Sequence, residues 1–185
     1  LHWPGGPDTV VLIHDVGGDL DDWRGLPASL AGQGYHVLAI DLPGHGLSDD
    51  PWEQGLARET IAEVVAGARS GGQGRRFAIS AGRIAPLVGG AELDALIAIS
   101  PAPDDDWAPD QSAAPCLIFV GGGDPGAAAA ADRYFHGRRG WSVVSSFGVR
   151  ENGSKLLAGS WARHLTEQAI AFLRDYRTPE PGAES

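Results

Sequence analysis

Arg75-Arg76-Phe77-Ala78-Ile79-Ser80-Ala81-Gly82-Arg83-Ile84-Ala85 is the stretch on which the fold turns. A short β-prone run ends on a serine framed by small residues, and a helix-compatible segment follows. Small side chains at Ala78, Ala81 and Gly82 suit a bend where strand, turn and helix approach too closely for larger groups. Such a bend would lift the hydroxyl of Ser80 above the end of a parallel sheet. Alone, a small-x-Ser-x-Gly match is a weak sign in a chain with 27 glycines, and a serine that merely caps the next helix would look the same. The neighbouring segments carry the decision.

Upstream, Val10-Val11-Leu12-Ile13 has no polar face, as expected of a strand buried on both sides. Residues 35–40 repeat that character. Between them Asp21-Asp22-Trp23 opens a segment with Leu26, Leu30 and Ala31 at helical spacing, stopped by Gly32-Gln33-Gly34. Residues 41–49 are nearly all turn formers. A helix over about 56–68, broken at Ser70-Gly71-Gly72, leads into the central strand. Downstream, strands are expected at 95–100, 116–120 and 141–147. Helices are expected after the central strand, over the Ala-rich stretch to Phe135, and over about 155–176. In the last, Leu157, Trp161, Leu165, Ala169 and Leu173 recur every fourth residue. Six strands alternating with helices predict the α/β class: a single-domain, doubly wound, mostly parallel sheet with helices on both faces. Residues 1–177 form that domain, and the Pro/Gly/Glu-rich residues 178–185 read as a disordered tail. Ligands gather beyond the carboxyl ends of such strands, where His14 to Gly18, Ser80, Asp124 and the loop after Phe147 fall.

The totals narrow the classes. At 185 residues, 43% hydrophobic and 21% charged, the chain has globular proportions. No apolar run reaches the roughly 18 residues of a membrane span, so a soluble protein is expected. A formal net charge of −10 argues against nucleic acid, whose phosphates need clustered Lys and Arg. The one cysteine, Cys116, sits in an apolar run and reads as a small buried hydrophobe. A reducing, cytoplasmic location fits it, and Leu1-His2-Trp3-Pro4 has no signal-peptide pattern. No spacing calls for a metal or a cofactor, and none is expected.

Residues 10–49 resemble the α/β-hydrolase fold family. His14-Asp15-Val16-Gly17 is similar to its H-G-x-G block, Trp23 to its tryptophan, and Asp41-Leu42-Pro43-Gly44-His45-Gly46-Leu47-Ser48 to its D-x-P-G-H-G-x-S block, in that order. The resemblance implies a minimal, lidless three-layer sandwich. It implies a serine hydrolase that cleaves a small carboxylic ester, thioester or amide through an acyl-enzyme on Ser80, with a small-molecule acyl compound as its partner. Asp124 would be the acid of the triad, and the amides of Val16 and Ala81 the oxyanion hole. His14, Asp15 and Trp23 would surround the substrate.

Three departures stand against that pattern. Ser80-Ala81-Gly82-Arg83-Ile84-Ala85 is one residue shorter than the family's S-x-G-G-x-x-A. Asp15 puts a charge where the family has glycine. Asn152, in Glu151-Asn152-Gly153, occupies the expected histidine position, and an amide cannot take a proton from a serine hydroxyl near neutral pH. His164 is the least implausible substitute base. The alternative reading is therefore a catalytically impaired relative that keeps the pocket as a binding module.

Overall fold

The computed structural model describes residues 1–68, 74–105, 107 and 112–177. Seven strands form one sheet: β1 (His2–Trp3), β2 (Thr9–Ile13), β3 (His36–Ile40), β4 (Arg76–Ala81), β5 (Ala95–Ile99), β6 (Cys116–Gly121) and β7 (Ser142–Phe147), in the order β1-β3-β2-β4-β5-β6-β7. All neighbours pair in parallel except β1, which lies antiparallel on β3. The six expected strands are thus present, with a helix after each except β5, which leads to β6 with no helix among the described residues. The strand not expected, β1, is a two-residue edge piece too short to show a period of two.

Side chains alternate across the sheet and so fill two cores. On one face Val10, Leu12, Phe77, Ile79 and Ile97 pack with α1 (Leu26–Gly32) and α4 (Ala162–Arg174). On the other, Val11, Ile13, Ala78, Leu96 and Ile118 pack with α2 (Gln54–Gly67) and α3 (Pro125–His136). Every residue of β2, β4, β5 and β6 is buried, which is why these strands read as unbroken apolar runs. In α4, Leu165 and Leu173 are fully buried, each contributing about 1.5–3 kcal/mol of burial.

Two expected helices differ in kind. The segment after β4 is a 3₁₀ helix, Gly82–Gly90, with Pro86 inside it, whose missing N–H leaves a gap in the hydrogen-bond ladder. The long C-terminal helix is divided into a 3₁₀ turn, Gly153–Leu157, and α4, with Gly159 and Ser160 between. The proposed tail, 178–185, and the break at 70–72 lie outside the described residues. Among the described residues no helix is long and apolar enough to cross a membrane.

Candidate functional site

Ser80 is not where the chain bends. It lies inside β4, aligned with Ile13 of β2 on one side and Ala98 of β5 on the other, and is 0% exposed. Its Oγ is buried and meets no hydrogen-bond partner. Ala81, also in β4, pairs with Ile99 and is equally buried. The turn comes at Gly82, whose φ of +55° is a left-handed conformation that glycine adopts without strain. The expectation of an exposed Ser80 with the Ala81 amide as anion donor is therefore corrected. The sheet holds both residues because the run of small and apolar side chains continues through Ala81.

A cleft of about 480 Å³ opens at the carboxyl ends of the central strands, and Asp15, Gly82, Ser100, Asp124, Asn152 and Lys155 are among its lining. Asp124 caps α3: its Oδ1 accepts from the amides of Gly126 (2.9 Å) and Ala127 (3.2 Å). Its Oδ2 accepts from Asn152 Nδ2 at 3.3 Å. Asn152 Nδ2 also donates to the Arg150 carbonyl at 3.0 Å, and its Oδ1 accepts from the Gly121 amide at 3.1 Å. The hydroxyl that reaches Asn152 is that of Ser100, which donates to the same Oδ1 at 3.2 Å. Ser100 follows β5 with φ +49°, a conformation that costs a non-glycine residue on the order of 1 kcal/mol or more. Asp124 and Asn152 are thus brought together, with the hydroxyl of Ser100 rather than Ser80 beside them.

Asp15 closes the other side. Its Oδ1 accepts from the Val16 amide at 2.7 Å and from the Arg83 amide at 2.8 Å, so a donor from the loop after β2 and one from the start of the 3₁₀ helix converge on one oxygen. A Cβ built at Gly82 would overlap this carboxylate, so Asp15 as seated leaves no room for a side chain at 82. Burial pushes the Asp15 carboxyl above its ordinary value, and the bonds from Arg83 and Val16 and the charge of Arg83 only partly oppose it.

Three further expectations are revised. His14 is buried. Its Nδ1–H donates to the Asp15 carbonyl at 2.7 Å and its Nε2 accepts from the Leu42 amide at 3.1 Å, so both ring nitrogens are used in tying two loops together. Trp23 is 1% exposed and belongs to the core under α1, away from the cleft. His164 stands exposed on α4, accepts from Gln168 Nε2 at 2.8 Å, and does not line the cleft, so it offers no substitute base.

Comparison with known proteins bears on the fold. Residues 8–79 match a family model described as the alpha/beta hydrolase fold. The structure is similar to a monoacylglycerol lipase from Paleococcus ferrophilus, with a TM-score of 0.76 at 17% identity over 93% of this chain and 96% of that one. The chain has the α/β-hydrolase fold. A 61-residue stretch is 46% identical to the dihydrolipoyllysine-residue acetyltransferase component of the acetoin cleaving system of Cupriavidus necator, covering 33% of this chain and 15% of that protein. A 73-residue stretch is 40% identical to an AB hydrolase superfamily protein of Gibberella zeae, covering 38% and 26%. The chain thus spans well under a third of either relative. These likenesses show the fold.

The α/β-hydrolase elbow, G-x-S-x-G, fits the residues of this chain best as Ala78-Ile79-Ser80-Ala81-Gly82. The bend itself falls two residues later, at Gly82 with its positive φ, where the pattern's two glycine positions would be Ser80 and Ile84. Sequence reading also passed over Arg83, Asp22, Lys155 and Ser100. For Gly82 and Arg83 the one local sign is a glycine able to take a positive φ at the end of the strand. For Ser100, a serine ending a buried strand, no local pattern marks the role.

Proposed function

We propose that this α/β-hydrolase-fold chain keeps the cleft of a hydrolase as a binding site for a small organic molecule and does not form an acyl-enzyme. The observation that carries this reading is the pairing of Gly82 with Asp15. In this fold the nucleophile stands on the strand-to-helix turn, and the oxyanion hole combines the amide of the next residue with one from an upstream loop. Here those places correspond to Gly82, Arg83 and Val16. The turn has no side chain to attack a carbonyl, and the two amides already hold a carboxylate. Asn152, in the base position, donates to Asp124 as an imidazole would but cannot accept a proton.

A second reading, hydrolysis of a small ester, thioester or amide, draws on one observation: Ser100, Asn152 and Asp124 form a hydroxyl–amide–carboxylate chain on the cleft wall. Turnover of p-nitrophenyl acetate separates the two. The wild-type protein is expected to match the buffer rate. The triple variant Asp15→Gly, Gly82→Ser, Asn152→His is expected to exceed it by at least about 10²-fold, a small share of what a complete triad contributes. Wild-type turnover that disappears in Ser100→Ala would overturn the binding reading in favour of the second.

A further inference from the structure

We propose that Asp15 is a proton-operated gate on the amide pair of Val16 and Arg83: ionised, it excludes organic anions from the cleft, and neutral or removed, it admits a carboxylate or sulfonate to that pair. The inference deepens the binding-site reading by naming the ligand chemistry the cleft takes and the residue that decides it.

The geometry carries the argument. Two N–H groups, one from the loop after β2 and one from the start of the 3₁₀ helix, converge within 2.7 and 2.8 Å of a single oxygen, which is the arrangement of an anion site. The occupant is tethered to one of the donors, since Asp15 immediately precedes Val16. A tethered carboxylate competes with any free anion at a high effective concentration, so an external ligand loses while Asp15 is charged. The space beside it is open: the cleft extends from Asp15 and Gly82 to Ser100, Asn152 and Lys155. A small organic acid placed there would set one oxygen on the amide pair with its carbon chain along the cleft.

Protonation is the natural release. A neutral carboxyl loses the charge-assisted part of both hydrogen bonds, and burial already disfavours the charged form. Several charged or titratable groups surround it. Arg83 and His14 adjoin Asp15 directly. Asp22, Asp124 and Lys155 line the same cleft, and His45 accepts from the Gly17 amide at 2.8 Å on the neighbouring turn. If only the neutral form of Asp15 is competent to bind, the competent fraction falls tenfold for each pH unit above its pKa, and the apparent Kd rises about tenfold with it.

Methanesulfonate is a suitable probe because its own charge stays fixed through this range. Titrated into the full chain and followed through backbone amide NMR shifts, it is expected to move the Val16 and Arg83 signals. Its affinity should strengthen by about tenfold per pH unit on acidification until Asp15 is neutral. Asp15→Ala should bind at pH 7.5 within a few fold of the wild-type acid plateau and show no pH dependence. If that variant does not fold, Asp15→Asn serves instead, and its profile should likewise be flat. A flat wild-type profile, an Asp15→Ala protein that ignores the probe, or shifts confined to other amides would overturn the gate. Those results would leave the absence of an acyl-enzyme untouched, because that is read separately from ester turnover.

Discussion

At the scale of single residues, the proposed binding site rests on groups that depend on one another. Glycine at 82 leaves the space that the Asp15 carboxylate fills, and that carboxylate takes the amides of Val16 and Arg83, which the proposal equates with the donors an attacked carbonyl would need. Asn152→His alone is therefore expected to leave p-nitrophenyl acetate turnover at the buffer rate. Ser80→Ala should change stability by no more than about 1 kcal/mol and in the favourable direction if at all, because it removes a buried hydroxyl with no partner. Chemical denaturation reads this, and a loss above about 2 kcal/mol would mean that the hydroxyl is engaged.

The raised Asp15 carboxyl sets a pH dependence. Between its unfolded value near 3.8 and the higher folded value, the native state holds more protons than the unfolded one. By linkage, stability from this group then falls as pH rises through that window. Asp15→Asn removes the penalty, so its Tm should exceed that of the wild type at pH 7.5 and the gap should shrink towards pH 4. A gap that widens on acidification would contradict the assignment.

At the scale of elements, the strands were legible because full burial leaves apolar runs with no alternation, as in Val10 to Ile13 and Cys116 to Val120. The same property hid the end of β4. Phe77, Ala78, Ile79, Ser80 and Ala81 are all small or apolar enough for a central strand, so nothing in the pattern said whether the bend followed Ser80 or Ala81. Backbone conformation decides it, and only the glycine at 82 hints at a positive φ in the sequence. The helix after the bend was equally opaque in kind, since Pro86 permits a 3₁₀ helix but does not announce one. In α4 the four-residue spacing did reveal the buried face. Leu173→Ala, which empties a fully buried position, should cost about 2–5 kcal/mol in a denaturation experiment. A cost below about 1 kcal/mol would mean that α4 does not close that core.

At the scale of the whole molecule, the fold is a scaffold whose sheet order brings chain segments far apart in sequence to one rim: the loop after β2, the turn after β4, the end of β5 and the loops after β6 and β7. That rim was legible from strand alternation. The contents of the cleft were not, because the convergence of Val16 and Arg83 on Asp15 joins residues 68 apart and follows no local spacing.

The central claim, that the elbow carries no nucleophile, is tested most directly by a fluorophosphonate serine probe followed by intact-mass and peptide-level mass spectrometry. The wild-type protein is predicted to take up no adduct, while the triple variant Asp15→Gly, Gly82→Ser, Asn152→His takes up one, mapped to position 82. A stoichiometric wild-type adduct on Ser80 or Ser100 would contradict the account.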